Sequence, residues 1–148
     1  MGLSYGVQRW EQVEDLQTTY RLIAGCAIDS PDAIAVSAPG RRPLNYRQLI
    51  DQIDSSVAAL NAMGLTCRDR VGLILPNGPV CAVAHFAVRS GMVCVPISAD
   101  YRKAEYEKLI SQLKISAIIV QVGQSAQAMT AAESCGVRVI RLTVSPDD

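Results

Sequence analysis

The sequence carries no net charge of either sign, with 14 Lys and Arg residues balanced by 14 Asp and Glu residues among 148. Because nucleic-acid-binding modules and polybasic membrane anchors depend on an excess of Lys and Arg, this balance argues against both partners. Charged residues make up 19% of the chain and hydrophobic residues 49%, whereas intrinsically disordered segments have the opposite bias. The composition and length therefore predict one folded domain at most.

Long hydrophobic runs are also missing. A transmembrane helix needs about 18 or more consecutive apolar residues, and the apolar stretches here are short and interrupted by Gly, Pro or charge. The first six residues lack the basic and apolar regions of a secretory signal, and Gly6 stands where an N-myristoylation motif needs Ser or Thr. We therefore expect a cytoplasmic protein without a membrane span.

The cysteines and the single histidine do not follow a metal-binding or disulfide pattern. No Cys-x-x-Cys pair occurs, and the odd number of cysteines lies mostly in apolar segments, at positions 26, 67, 81, 94 and 135. This pattern predicts buried, reduced thiols. His85 is the only histidine, and its place within a predicted helix favours a core or groove-facing side chain over a general base or a zinc ligand.

Motifs for phosphate binding and nucleophilic catalysis are missing as well. The chain contains no Gly-x-Gly-x-x-Gly, no P-loop and no Gly-x-Ser-x-Gly. Residues 75–79 form a turn with one Gly, and Pro79 removes a backbone N–H donor, so we interpret the turn as structural. Asp51 and Asp54 lie off the apolar stripe of their helix and Asp69 lies between two arginines, so we interpret them as surface charges. No catalytic residue is predicted.

What the sequence does contain is a regular alternation of strands and helices. Four predicted strands, at 71–75, 93–97, 117–121 and 137–142, alternate with three helical segments that end near residues 90, 113 and 134. Connections of this length require crossovers, which are almost always right-handed. The pattern predicts a Rossmann-like α/β fold with a mainly parallel sheet and flanking helices.

The part before this alternation is less regular. We predict a helix over residues 7–24 and a small hairpin at a sheet edge over residues 34–46. A well-specified helix follows, because Asn45 and Gln48 form a capping-box pattern and Gly64 suits the C-cap. Its apolar stripe comprises Tyr46, Leu49, Ile50, Ile53, Val57 and Leu60.

Six segments occur in a fixed order, at residues 31–36, 44–49, 64–71, 75–77, 88–97 and 101–119. Together they resemble the opening of the adenylate-forming enzymes, the superfamily of acyl-CoA synthetases, adenylation domains and luciferases. The second segment is similar to the first core motif of that family, from which Asn45 and Gln48 depart. Residues 75–79 and 96–102 resemble carboxylic acid–CoA ligases of the oxalate–CoA ligase or fatty-acid type more than amino-acid adenylation domains.

The resemblance implies a two-step reaction for the parent enzyme. A carboxylate attacks the α-phosphate of ATP, which forms an acyl-adenylate and releases pyrophosphate. A thiol from CoA or a carrier-protein phosphopantetheine then displaces AMP, and Mg²⁺ neutralises phosphate charge. The family's Thr/Ser/Gly-rich phosphate-binding loop and later catalytic segments have no counterpart here. We therefore expect an N-terminal fragment, with a helical lead-in over residues 1–30 and an α/β subdomain over residues 31–148, which ends before that loop. By itself it is expected to hold no cofactor and to be inactive.

The resemblance also implies one binding residue. In some CoA ligases an Arg just before the Gly of the second core motif contacts the CoA nucleotide, and Arg89 aligns with that Arg. A guanidinium group suits a phosphate or an adenine face. An Arg in the last turn of a helix is also stabilised by the helix dipole without any ligand. Both interpretations stay open at this point.

Two other functions are compatible with the sequence. One is a stand-alone interaction or regulatory module that keeps the fold without the chemistry, and the other is a small flavodoxin-like nucleotide binder. As partner we expect the remainder of its own enzyme chain. A fragment that lacks this partner exposes apolar surface, so we also expect self-association.

Overall fold

The computed structural model describes residues 18–144. Five helices and six strands are found within this range: α1 (Thr19–Asp29), β1 (Ile34–Val36), β2 (Leu44–Asn45), α2 (Tyr46–Ala62), β3 (Arg70–Ile74), α3 (Pro79–Gly91), β4 (Val93–Pro96), α4 (Lys103–Leu113), β5 (Ala117–Gln121), α5 (Ala126–Ser134) and β6 (Arg138–Leu142). The predicted alternation of strands and helices is confirmed, and β5 begins and ends at the predicted residues.

The central sheet has four strands in the order β4-β3-β5-β6, and each neighbouring pair is parallel. Buried side chains of α4 and α5 pack on the face that carries Ile118 and Val120. Side chains of α3 pack on the opposite face, which carries Leu73 and Ile119. The α/β fold with flanking helices is therefore confirmed, and every strand pair in the sheet proves to be parallel.

Helix α3 lies between two apolar surfaces. Its Val88 packs on the sheet, while its Val83 and Phe86 pack against a separate cluster formed with α1, α2 and the hairpin. A helix with apolar neighbours on both sides needs apolar residues around most of its circumference. This position explains why residues 79–88 carry no charged side chain.

The start of α2 follows the predicted capping box. The Asn45 side chain accepts a hydrogen bond from the Gln48 N–H at 2.8 Å, and the Gln48 side chain accepts one from the Asn45 N–H at 3.1 Å. After the helix ends, Gly64 has a φ of +88°, which is readily available to glycine. The predicted stripe is confirmed, because Leu49, Ile53 and Leu60 are buried and Tyr46, Ile50 and Val57 are half-buried.

The hairpin prediction was wrong in its location. Strands β1 and β2 pair antiparallel in a two-stranded sheet of their own, and this sheet is not an edge of the central sheet. Hydrogen bonds from the N–H groups of Tyr46 and Arg47 to the carbonyls of Ala33 and Pro31 tie the hairpin to the first turn of α2. The side chains of Ala35 and Val36 on β1 consequently join the cluster around α2 and not the sheet core.

Helix α1 differs from the predicted helix over residues 7–24. It begins at Thr19, where the Thr18 hydroxyl caps the Arg21 N–H at 3.2 Å, and it continues to Asp29. It stops there because the following Pro31 disfavours helical backbone at Ser30. The segment over residues 7–17 lies outside the described residues.

Candidate functional site

The carboxyl edge of the sheet contains a topological switch point. The chain leaves β3 for α3 on one face and leaves the neighbouring β5 for α5 on the other face. In open α/β sheets, ligands bind in the crevice where connections diverge in this way. The loops over residues 75–78 and 122–125 border this crevice, and each leads directly into a helix.

The two loops supply backbone groups but no charge. Gly78 is the N-cap of α3 with a φ of +156°, and Ser125 is the N-cap of α5 with a φ of +58°. Gly78 has no side chain with which to cap α3, and the Ser125 side chain accepts no hydrogen bond from α5. Pro79 occupies the first position of α3, as expected, and neither loop contains Lys or Arg. Residues of these loops alone therefore lack the cations that stabilise a polyphosphate.

A groove lies beside the N-terminal half of α3. It has a volume of about 290 Å³ and is enclosed by the hairpin and its loop, by α2, by α3 and by the chain just after β6. Its lining residues are Val36, Ser37, Ala38, Arg41, Arg42, Leu44, Gln52, Ser56, Pro79, Val80, Val83, Ala84, Leu142, Thr143 and Val144. We call it the arginine-rimmed groove, and sequence reasoning did not predict it because its walls come from four separate parts of the chain.

Arg89 is exposed in the last turn of α3. Ten residues separate it from Pro79, so it lies about 15 Å along the helix from the crevice at the carboxyl edge. Val93, just after α3, donates a hydrogen bond to the Asp69 carbonyl at the start of β3, which places this end of α3 at the amino edge of the sheet. The structure therefore does not bring Arg89 to the switch point.

His85 is half-buried on α3, and its ring centroid lies 6.5 Å from that of Phe86. Within residues 18–144 it makes no hydrogen bond or ion pair, and it is not one of the residues that line the groove.

The thiols near the sheet are not activated. Burial raises the pKa of the Cys94 thiol to about 11, with a smaller contribution from Cys81 that Arg89 partly opposes. Since the thiolate is the nucleophilic form, Cys94 is inert at neutral pH. All five cysteines are free, but the expectation of burial was wrong. Cys67 is exposed in the turn before β3, and the other four, at positions 26, 81, 94 and 135, are only half-buried. It lies between the polar residues Thr66 and Arg68, in the turn that joins α2 to β3.

Asp69 does not form the charge cluster expected from its arginine neighbours. Its carboxylate accepts hydrogen bonds from the Thr66 N–H and hydroxyl, both at 2.8 Å. The Arg70 guanidinium instead donates to the Leu113 carbonyl at 3.0 Å. Hydrogen bonds from Ser116 and then from Thr66 lower the pKa of Asp69. Asp69 therefore organises the turn that leads into β3.

We expect Asp69 to make stability depend on pH at the acid end. Because its folded pKa lies below the unfolded value near 4, its stabilisation is fully present above about pH 4 and is lost as the pH falls through the folded pKa. Asp69→Asn should flatten the decline of unfolding free energy between about pH 5 and pH 2, measured by urea denaturation. The control is Asp51→Asn, at an exposed position on α2, and an unchanged acid limb in Asp69→Asn would contradict this role.

The described residues contain neither a group of metal ligands nor a helix that could span a membrane. Between residues 18 and 144, no three His, Cys, Asp or Glu side chains are grouped closely enough to hold a metal ion. In the same range, every helix is too short or too polar to cross a membrane.

Comparison with known sequences agrees with the resemblance. A family model described as AMP-binding enzyme matches residues 26–148. The salicyl-AMP ligase / salicyl-S-ArCP synthetase of Mycobacterium tuberculosis is 44% identical over 80 residues, which cover 51% of this chain and 14% of that protein. A long-chain-fatty-acid–CoA ligase of Bacillus subtilis is 27% identical over 104 residues, 70% of this chain and 18% of that protein.

Solved structures share the fold. A long-chain-fatty-acid–CoA ligase from Archaeoglobus fulgidus superposes with a TM-score of 0.75 and 18% identity, covering 83% of this chain and 27% of that one. The apo structure of MatB from Rhodopseudomonas palustris gives a TM-score of 0.71 and 20% identity, and the match covers 85% of this chain and 26% of that one. The chain thus spans 14% and 18% of the length of the two curated relatives. Because the family model covers most of its residues, the chain belongs to the family of AMP-binding, adenylate-forming enzymes, of which it represents the N-terminal portion.

Proposed function

We propose that this chain is the non-catalytic N-terminal scaffold of an ATP-dependent ligase that joins a carboxylic acid to a thiol. The match of the AMP-binding model over residues 26–148 is the observation that carries this proposal. The parent reaction would form an acyl-adenylate and then a thioester with CoA or with a carrier-protein phosphopantetheine. The described part of the chain supplies the sheet on which such a site is built.

The described residues do not fit an ATP–Mg²⁺ site by themselves. The loops at the switch point, residues 75–78 and 122–125, have no cationic side chain. Residues 18–144 also lack a cluster of potential metal ligands. We therefore derive no catalytic step from this chain and assign ATP and Mg²⁺ binding to the remainder of the parent enzyme, which is the partner we propose for it.

The proposal also divides the chain into a lead-in over residues 1–30 and a subdomain over residues 31–148. It further includes a cytoplasmic location, which suits five unpaired cysteines.

Titration calorimetry of the 148-residue chain tests this proposal against a nucleotide-binding function. With ATP, FMN or CoA at micromolar concentrations we expect no heat of binding, because the loops lack charge to hold phosphate groups. Saturable binding of FMN or ATP would overturn the scaffold proposal in favour of a small nucleotide binder. A complete fatty-acid–CoA ligase titrated with ATP serves as the positive control.

We further propose that Arg89 contacts the nucleotide of CoA in the parent enzyme. It is exposed at the end of α3 and makes no hydrogen bond or ion pair within residues 18–144, so its guanidinium is available to a phosphate. The test grafts residues 26–148 into the Bacillus subtilis fatty-acid–CoA ligase in place of the matching region. Arg89→Ala in this hybrid should raise the KM for CoA about tenfold, the effect of losing one charged hydrogen bond.

The adenylation half-reaction of the same hybrid should be unchanged by Arg89→Ala. The matched control is Arg68→Ala, which removes another exposed arginine, one in the turn before β3. An unchanged KM for CoA, or an equal rise in the Arg68→Ala hybrid, would reduce Arg89 to a solvated arginine at a helix end.

The isolated chain is also proposed to self-associate. Leu22 on α1 is 54% exposed, and Ile28 and Ile34 nearby in sequence are 81% and 65% exposed. With a net charge of zero, copies of the chain do not repel one another. Multi-angle light scattering should show a mass that rises with concentration and falls in the variant Ile28→Lys/Ile34→Lys. A monomer at all concentrations would refute this expectation.

A further inference from the structure

The two faces of the central sheet are covered unequally. On one face both α4 and α5 pack against the strands. On the other face α3 packs mainly over β3 and β4, and the side chains of Ile140 and Leu142 on β6 remain only half-buried. The arginine-rimmed groove lies next to α3 on this less covered side, where Leu142 and Val144 form part of its wall.

The groove combines apolar walls with positive charge at its rim. Its walls are built by aliphatic side chains of the hairpin, of α3, of the end of β6 and of the chain after it: Val36, Leu44, Val80, Val83, Leu142 and Val144. Arg41 and Arg42 lie in the loop between β1 and β2 and also line the groove, whereas no Asp or Glu lines it. Arg42 is exposed and forms no hydrogen bond or ion pair within residues 18–144.

We propose that the arginine-rimmed groove binds a small amphipathic organic anion, with its apolar chain between α3 and β6 and its anionic head at Arg42. The volume of about 290 Å³ lies near the lower end for small-molecule sites, which suits a short chain with one head group. The charge argues against a second copy in the groove, because an interface formed by this patch on both copies would bring four arginines together. This inference does not depend on the proposed function, since it uses neither the switch point nor Arg89.

The experiment titrates the isotope-labelled 148-residue chain with four probes that share one tail: octanoate, octyl sulfate, octanol and octyltrimethylammonium, all below their micelle concentrations. Amide resonances of residues 80–84 and 142–144 should shift and saturate with octanoate and octyl sulfate. Octanol should bind at least about tenfold more weakly, since a hydrogen bond to a charged group typically contributes this much. The cationic probe should not bind.

Three variants make the assignment specific. Arg42→Gln should weaken octanoate binding about tenfold, whereas the matched Arg68→Gln, which removes a charge outside the groove, should leave it unchanged. Thr143→Glu, at an exposed lining position, should abolish binding by placing a carboxylate in the groove. Thermal unfolding confirms that each variant is folded.

Equal binding of all four probes would overturn the proposal, because the head group would then not be recognised. Unchanged octanoate binding in folded Arg42→Gln would do the same, as would shifts confined to other surfaces. Concentration-dependent shifts of residues 80–84 and 142–144 without any probe would identify a second copy as the occupant and would also contradict it.

Discussion

The purified 148-residue chain is expected to show no ATP–pyrophosphate exchange with any carboxylic acid. Exchange requires groups that neutralise the charge developing on the phosphates of ATP. Residues 75–78 and 122–125, which border the crevice at the switch point, contain no Lys or Arg. Among the described residues, no three His, Cys, Asp or Glu side chains lie close enough together to hold a metal ion. We therefore expect the chain to have no exchange activity at all, and not merely a lower activity than a complete ligase.

Radiolabelled pyrophosphate incorporated into ATP measures this exchange. The acids should include salicylate and a long-chain fatty acid, and a complete fatty-acid–CoA ligase gives the positive control. The heat-denatured chain gives the background. Exchange above this background that disappears on heating would show that the chain carries a catalytic site of its own.

Gly91→Val is expected to have the largest effect on stability among the single substitutions considered. A Cβ at position 91 would lie 2.8 Å from Cγ1 of Val57, where α2 packs against α3. Val57 is β-branched and half-buried, so its side chain has little freedom to move away. Forcing extra atoms into this contact should lower the free energy of unfolding by about 1–3 kcal/mol. Urea denaturation followed by circular dichroism measures the change.

A double-mutant cycle shows whether this contact is the cause. In the Val57→Ala background, Gly91→Val should cost markedly less, since the obstructing methyl groups are gone. The control is Gly25→Val, because a Cβ on Gly25 in α1 has no atom within 4 Å. Equal costs of Gly91→Val with and without Val57→Ala would rule out the clash as the explanation.

The sequence predicted the central sheet well because its signals are local. Residues 117–120 are apolar and lie between two predicted helices, and β5 occupies residues 117–121. The start of α2 is determined by the side chains of Asn45 and Gln48, which are three residues apart, and the structure contains the predicted capping box. Features that depend on neighbours within one turn or one strand can be read from the residues themselves.

Features that depend on distant segments could not be predicted in this way. The hairpin packs on α2 because its flanking carbonyls, at Pro31 and Ala33, meet the first N–H groups of that helix. Similarly, Tyr20 on α1 donates a hydrogen bond to Asp54 on α2 at 2.9 Å, whereas Asp54 had been interpreted only as a surface charge. No spacing rule identifies partners so far apart in sequence.

The candidate site was predictable only in part for the same reason. Arg89 was selected by family resemblance, and its position at the amino edge of the sheet became visible only in the fold. The arginine-rimmed groove joins Arg42 to the chain after β6, which are about a hundred residues apart. Topology alone brings them together.

The central claim is that residues 26–148 form the N-terminal scaffold of an adenylate-forming ligase, and segment exchange tests it most directly. The matching region of the Mycobacterium tuberculosis salicyl-AMP ligase is replaced by residues 26–148 of this chain, and salicylate-dependent ATP–pyrophosphate exchange is measured. A second hybrid carrying Gly91→Val controls for the integrity of the grafted fold, and thermal unfolding verifies that both hybrids are folded. We predict exchange well above background in the first hybrid and less in the second. A folded first hybrid without any exchange would contradict the claim.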